Sequence, residues 1–188
     1  MEATQILMSE HRVIERVIQS LETAAERLEQ GDAVRPGFFI DAADFIKGFA
    51  DGCHQKKEEG VLFKALVQNG MPVQGGPVAV MLYEHEQGRG FTRAMREAAQ
   101  KLESDPSARS AVIENALGYT SLLRQHIQKE DGILFPMADR LLPPEKQEQV
   151  REGFEHIEHE DTGEGVHEKY LALAEALERE AANLVMEG

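Results

Sequence analysis

The sequence has a single cysteine, no tryptophan and only 7 prolines among its 188 residues. One cysteine, Cys53, cannot form an internal disulfide, so a reducing compartment is the simpler expectation. Basic residues are also scarce, since 20 Lys and Arg stand against 34 Asp and Glu. The net charge of -14 disfavours nucleic acid or an anionic membrane as a partner.

Long apolar runs are missing as well. No segment approaches the roughly 20 apolar residues that a membrane helix needs. The start, MEATQILMSE, has neither the basic region nor the apolar stretch of a signal peptide. With 41% hydrophobic and 29% charged residues, the chain is predicted to form one globular domain with a sizeable core. We therefore expect a cytoplasmic protein.

Apolar residues recur at helical spacing almost throughout the chain, and the alternation typical of strands is nearly absent. The turn-rich segments GDAVRPG, GMPVQGGP and SDPS separate four predicted amphipathic helices, over 4–30, 38–69, 78–102 and 108–142. Long helices with short connections favour an all-α fold, an up-down-up-down four-helix bundle over residues 1–142. Residues 143–188 are strongly acidic but keep an apolar stripe, which predicts a helical extension with a short fifth helix packed on the bundle.

A ten-residue motif occurs twice in the sequence. HQKKEEGVLF begins at His54 and HIQKEDGILF begins at His126, and six of the ten positions are identical. Each copy contains HxxxE, formed by His54 with Glu58 and by His126 with Glu130. In a helix these side chains lie about one turn apart and point in the same direction, so both can reach one metal site.

Two further histidines, His11 and His85, lie inside the apolar stripes of the first and third helices. An ordinary bundle would carry Leu or Ala there. A single core histidine is more often a packed side chain than a ligand, and one HxxxE is a weak signal in a sequence rich in Glu. In a bundle the four stripes converge on one axis, so four imidazoles and two carboxylates would meet in one core pocket. This conjunction favours a metal site.

The predicted ligands suggest which metal is bound; they are His11, His54, Glu58, His85, His126 and Glu130. Imidazole suits iron, copper, nickel or zinc, whereas calcium and magnesium prefer oxygen. Six protein ligands exceed the four of a structural zinc, and carboxylates from opposite helices could bridge two ions. Two iron ions fit best, with the carboxylates and a bridging oxo or hydroxo group balancing their charge. The blander alternative is a bundle with one structural zinc.

The order His, HxxxE, His, HxxxE resembles that of the hemerythrin-like HHE cation-binding family, over residues 1–142. The resemblance implies a four-helix bundle with a non-heme di-iron centre, histidines on each iron and bridging carboxylates. Oxygen-carrying hemerythrins have HxxxH on the third helix, but here His85 is followed four residues later by Arg89, which stays protonated and cannot ligate. Their fourth helix has HxxxxD, a spacing that Asp131 satisfies. Glu130 is preferred because it aligns with Glu58 in the repeat.

The missing imidazole would leave more room for an external ligand, and two classes of function remain open. In the first, the protein binds or senses a small molecule such as O2 or NO, or stores iron. In the second, it is a redox enzyme that disposes of hydrogen peroxide or NO by cycling the two irons. The sequence leaves open the physiological ligand, the metal loaded, and whether the chain forms a homodimer.

Some polar residues fall outside the predicted ligand set. The C-terminal FEHIEHEDTGEGVHEKY contains His156, His159, Glu160 and His167, for which a second metal site is one interpretation. The favoured one has mostly solvated charges, with His167 or Glu160 capping the bundle or bonded to a ligand histidine. Glu15, four residues after His11, is expected to support that ligand or to lie at the surface. The glycines that recur in both motif copies, at positions 60 and 132, are expected at tight interhelical contacts.

Overall fold

The computed structural model describes residues 3–162 and 165–186, without the side chains of residues 160–162, so the role predicted for Glu160 lies outside it. In the described ranges the chain is helical and has no strands, which confirms the all-α prediction. No helix in these ranges is long and apolar enough to cross a membrane.

Six helices, numbered here in chain order, make up the described part of the chain. Helix α1 is Ala3–Gln30, α3 is Pro77–Ala99 and α6 is Val166–Met186. Helix α2 runs through 36–68 as Pro36–Phe45, the π-helical segments Ile46–Gln55 and Glu58–Leu62, and Phe63–Gln68. Helix α4 runs through 108–141 as Ala108–Lys129, the π-helical Glu130–Leu134, and Phe135–Leu141. Helix α5 runs through 144–162 as Pro144–His156 and the π-helical Ile157–Thr162.

The ends of these helices follow from local sequence. Pro36 and Pro77 lie in the first turn of α2 and α3, where a missing N–H breaks no helical bond. Gly31 and Gly70, with φ of 107° and 104°, follow α1 and α2 in the left-handed conformation that stops a helix. The extension was predicted to hold one short helix, and this is wrong, because α5 and α6 lie on either side of Gly165, which has a φ of 79°.

Two apolar clusters form the core. The first, larger cluster takes residues from 14–28 of α1, 38–50 of α2, 95–99 of α3 and 112–127 of α4, and α6 adds Ala174, Leu177 and Ala181. The second takes residues from the opposite part of each of these helices, and α5 adds Val150 and Phe154. Five of the six predicted ligands fall between the stretches that feed the two clusters, and His126 lies at the edge of the first, next to Ile127. The fold therefore places a polar layer between two apolar layers.

Candidate metal centre

The structure brings the six predicted ligands together. All six side chains are buried, with at most 3% of any residue exposed. They form two overlapping groups, in each of which the ligand atoms lie within 4.8 Å of one another: His11, His54, Glu58 and Glu130, and Glu58, His85, His126 and Glu130. The two glutamates belong to both groups. Each group therefore has two histidines of its own and shares the same two carboxylates.

The four imidazoles direct Nε2 at the shared carboxylates. His11 Nε2 and His126 Nε2 lie 3.2 and 3.3 Å from Oε2 of Glu130. His54 Nε2 lies 3.4 Å from Oε1 of Glu58, and His85 Nε2 lies 3.4 Å from Oε2 of the same side chain. Ligand atoms that surround one cation at about 2.1 Å are themselves about 3.0–3.4 Å apart. The spacing of these atoms suits coordination of a common ion.

The hydrogen-bond inventory gives independent support for a cation. Both carboxylate oxygens of Glu58, both of Glu130, and His11 Nε2 are buried and have no hydrogen-bond partner. The nearby imidazole nitrogens lie within ion-pair range but not in hydrogen-bond geometry. Buried carboxylates without partners are costly, and nearly all buried polar groups in proteins are satisfied. The donors present, imidazole nitrogen and carboxylate oxygen, fit iron or a similar transition metal.

The outer nitrogen of every ligand histidine donates to a carboxylate that is not in the ligand set. The Nδ1 distances are 2.7 Å for His11 to Asp131, 2.9 Å for His54 to Glu10, 2.8 Å for His85 to Glu59 and 2.9 Å for His126 to Glu84. A hydrogen bond from Nδ1 fixes the tautomer, orients the ring and leaves the Nε2 lone pair for a metal. All four rings are thus held in the form that ligation requires.

The repeated lysine holds two of these carboxylates in place. Lys57 Nζ donates to Glu10 Oε1 at 2.5 Å, and Lys129 Nζ donates to Glu84. The same two carboxylates accept the Nδ1–H hydrogen bonds of the ligand histidines, Glu10 from His54 and Glu84 from His126. Sequence reasoning missed all four residues. A signal was present, because each of the two glutamates directly precedes a ligand histidine, in SEH and YEH.

The acidic residue that follows each ligand glutamate bonds across the site. Helices α1 and α2 form the first half of the repeat, and α3 and α4 form the second. Glu59 accepts a hydrogen bond from His85, and Asp131 accepts one from His11, so each bond joins the two halves. An arginine fixes each one, since Arg89 Nη1 lies 3.1 Å from Glu59 and Arg12 Nη2 lies 2.5 Å from Asp131. Asp131 therefore lies on the outer side of His11, and Glu130 faces the interior. Arg89, where oxygen-carrying hemerythrins have a ligand histidine, forms ion pairs instead.

The last residue of each motif copy packs on a ligand ring of the other half. Phe63 stacks on His85 with ring centroids 6.0 Å apart, and Phe135 stacks on His11 at 5.5 Å. The leucine before each phenylalanine is buried in the second apolar cluster. Most of the repeated sequence therefore serves the layer of ligands, which explains why the chain carries the motif twice.

The repeated glycines do not lie at the tight contacts that were predicted for them. A Cβ at Gly132 would meet no atom within 4 Å, and one at Gly60 would meet only Ile157 Cδ1, at an ordinary 3.6 Å. The prediction of tight interhelical contact is wrong. Both glycines lie inside π-helical segments, which begin at Glu58 and Glu130. Such segments are rare and are often found at functional sites, and here both start at a shared carboxylate.

The electrostatics of the layer reflect its buried carboxylates. Burial lowers the pKa of His54, but the neighbouring Glu58 and Glu10 outweigh it and hold this pKa well above its ordinary value. Burial is likewise outweighed at His85, where Glu58 and Glu59 raise the pKa to about 9. Glu58 has its pKa held well below the ordinary value, because the histidine charges exceed the effect of burial. The layer thus stabilises positive charge next to the shared carboxylates.

The polar residues of the extension lie outside this layer. His156 and His159 are exposed. His167 packs its ring on Phe49 at 5.3 Å and lies 3.5 Å from Glu158, so it caps the bundle without bonding a ligand histidine. Glu158 in turn accepts from Lys57 at 3.2 Å.

The interpretation of a second metal site gains little support. Ligand-type atoms of Glu10, Cys53 and His167 do lie within 4.8 Å of one another. The ammonium of Lys57, however, already neutralises the carboxylate in that group. Glu15 forms a surface ion pair with Arg12 at 3.1 Å, which places it outside the layer.

Comparison with known proteins agrees with the geometry. The chain is 26% identical over 163 residues to uncharacterized proteins of Mycobacterium tuberculosis and Mycobacterium bovis, covering 86% of this chain and 63% of theirs. It therefore spans less than two thirds of the length of these relatives. It is 32% identical over 125 residues to the iron-sulfur cluster repair protein YtfE of Dickeya chrysanthemi, covering 62% of this chain and 55% of that protein. The sequence profile described as Hemerythrin HHE cation binding domain matches residues 2–138. The chain belongs to the hemerythrin HHE cation-binding domain family.

Proposed function

We propose that this protein holds a non-heme di-iron centre and uses it to bind or sense a small molecule such as O2 or NO. The observation that carries the proposal is the pair of overlapping four-residue groups that share Glu58 and Glu130. Two ions, each held by two histidines and both carboxylates, would satisfy the oxygens of Glu58 and Glu130 that lack hydrogen-bond partners. Two bound irons would supply open coordination positions and electrons for a small ligand. The protein's part is to fix the four imidazoles, exclude water and neutralise charge.

A small enclosed cavity beside the layer supports a small ligand. It is lined by three ligand histidines and by apolar side chains on α1, α2 and α4, together with one amide: His11, His54, His126, Ile14, Ala50, Leu123, Ile127 and Gln55. The centre of a water-sized molecule can reach about 10 Å³ of it. That is room for about one water molecule, which suits a diatomic ligand or peroxide and excludes a larger substrate.

A second candidate is redox or iron-handling chemistry at the same layer. The relative from Dickeya chrysanthemi is named for iron-sulfur cluster repair, and its likeness covers 62% of this chain. This favours a role in which the centre reacts with NO or peroxide, or stores or delivers iron. The same six residues would hold the metal in either case. The two candidates differ in whether the ligand is released unchanged.

The remaining proposals concern topology and setting. The N-terminal parts of α1 and α3 lie in the second apolar cluster and their C-terminal parts lie in the first. Helices α2 and α4 have the opposite order. This order supports an up-down-up-down bundle for residues 1–142, with 143–188 as an extension. A reducing, cytoplasmic setting is proposed from the single cysteine, which is buried. Homodimer formation stays a prediction.

The candidates can be separated with iron-loaded protein that is reduced anaerobically and then exposed to O2, NO or hydrogen peroxide. Reversible ligand binding, with recovery of the starting spectrum on removal of the gas, is expected for a binder or sensor. Sustained consumption of NO or peroxide would support the enzymatic candidate. Protein that holds one colourless zinc and changes its spectrum with none of the three would contradict both.

A further inference from the structure

The two halves of the repeat are closely matched around the ligands, so the places where they differ are informative. Position 55 is glutamine in the first copy, and the equivalent position in the second copy is Ile127. Four residues after the ligand histidine, α3 has Arg89 where α1 has Glu15. Holding the ligands does not require these differences, because the equivalent positions of the other half manage without them.

Gln55 has an unusual position for an amide. It is 4% exposed, and it lines the enclosed cavity next to His54 and His126. Apart from the histidines, it is the only hydrogen-bonding side chain among the described residues that line this cavity. The other lining side chains are apolar. Among the described lining residues other than the histidines, the Gln55 amide is therefore the one group that could hydrogen-bond a ligand in this cavity.

Arg89 fixes which end of the amide is available. Its Nη1 lies 3.0 Å from Gln55 Oε1. A guanidinium can only donate, so the amide oxygen must face Arg89 and the NH2 group must face away from it. Arg89 is itself held by Glu59 at 3.1 Å and by Glu86 at 3.3 Å. The donor of Gln55 is thus oriented before any ligand arrives.

We propose that Gln55 is a ligand-recognising residue of the metal centre, whose NH2 group donates a hydrogen bond to the outer atom of a small ligand. The inference rests on the function proposed above and adds a selectivity to it. Ligands whose outer atom gains negative charge on binding, such as NO and O2, are favoured over diatomic molecules whose outer atom gains no such charge. Arg89 is a positioning residue, since it acts only through the amide.

The test uses nitric oxide as the probe, bound to the reduced, iron-loaded full chain. In Gln55→Leu, which keeps the approximate size but cannot donate, we expect NO to dissociate about tenfold faster, as loss of one hydrogen bond to a partly charged atom predicts. The N–O stretching frequency should rise, because the donor no longer draws charge onto the oxygen. The matched control is Gln68→Leu, the same exchange at an exposed position of α2 outside the cavity, for which neither quantity should change.

The outcomes distinguish this inference from the proposed function. Unchanged NO dissociation and stretching frequency in Gln55→Leu, with iron content equal to the parent, would overturn the role of Gln55 and leave the di-iron proposal standing. If Gln55→Leu does not retain iron, the nearly isosteric Gln55→Glu applies the same test, because a carboxylate cannot donate. A parent protein that holds iron but gives no NO adduct would overturn the recognition role and exclude NO as the ligand of the proposed centre.

Discussion

Single residues explain why these histidines differ from ordinary core histidines. Each ligand ring has one carboxylate at Nδ1 and another near Nε2. Of the carboxylates next to these rings, only the inner two, Glu58 and Glu130, have no hydrogen-bond partner among the described residues. A packed core histidine would need one partner for each ring nitrogen and would not require two buried carboxylates with free oxygens. The division into inner and outer carboxylates is what a metal centre requires.

The outer carboxylates provide a first prediction. Replacing Glu10 or Glu84 with glutamine should weaken metal binding about 10- to 100-fold, because a neutral amide holds the imidazole less firmly and makes it a weaker ligand. The measurement is a metal competition titration with a chelator of known affinity. Glu15→Gln, a carboxylate on α1 that lies outside the layer, is the control and should keep the parent affinity. Equal affinity in all three variants would show that these contacts are incidental.

The two lysines of the repeat provide a second prediction. The side chain of Lys57 is fully buried, whereas that of Lys129 is 36% exposed. Lys57→Met should lower the free energy of unfolding by roughly 3–5 kcal/mol, since it removes the ammonium partner of the buried Glu10 and leaves it only the hydrogen bond from His54. Lys129→Met should cost about 1 kcal/mol or less, because water can solvate the remaining carboxylate. Denaturant unfolding measures both, and equal losses would contradict the burial difference.

At the scale of the helices, the π-helical segments are the least expected feature. Each of the two segments that begin at a shared glutamate contains the repeated glycine, with no steric need for it. The segments change the helical register directly after the ligands. Thus the phenylalanine that ends each motif copy can stack on a ligand ring from the other half.

A third prediction follows from the open space at Gly132. Gly132→Ala should raise the free energy of unfolding by about 0.4–1 kcal/mol, because alanine restricts the unfolded chain and meets no atom in the folded one. Gly118 on the same helix is the contrasting case, since a Cβ there would lie 2.7 Å from the Phe91 ring. Gly118→Ala should therefore destabilise the protein. Thermal unfolding checks both signs, and destabilisation by Gly132→Ala would mean that the π-helical segment requires glycine.

Sequence alone predicted the long helices, and it selected six residues whose side chains the structure brings together, for a physical reason. Helical periodicity is an i, i+3, i+4 pattern, and HxxxE follows the same spacing, so both can be read along one helix. The outer carboxylates could not be read in this way. Glu10 bonds to His54 and Glu84 to His126 across different helices, and such contacts depend on helix rotation, which no local spacing determines. The π-helical segments escaped prediction for the same reason.

At the scale of the whole molecule, the extension makes the two halves unequal. Glu158 on α5 accepts a hydrogen bond from Lys57 in the first half. The equivalent Lys129 in the second half donates only to Glu84 among the described residues. Helix α6 adds apolar side chains to the first core cluster. The extension therefore contributes apolar side chains to the first core cluster and a carboxylate partner to Lys57.

A fourth prediction tests this packing. Leu177 on α6 is 1% exposed, and Leu177→Ala should lower the free energy of unfolding by about 2–5 kcal/mol. Val185, on the same helix, is 58% exposed, and Val185→Ala should leave stability nearly unchanged. Both variants should retain metal. An equal, small effect of the two substitutions would mean that α6 does not share the core of the bundle.

The most direct test of the central proposal is the metal content of the purified protein, measured together with its optical spectrum. We predict about two irons per chain in the parent, and loss of most of this iron in the His54→Ala, Glu58→Ala double variant, since that change removes one histidine and one shared carboxylate. His156→Ala, at an exposed position, should keep the parent content. One zinc per chain, no metal, or full iron retention in the double variant would contradict the di-iron centre.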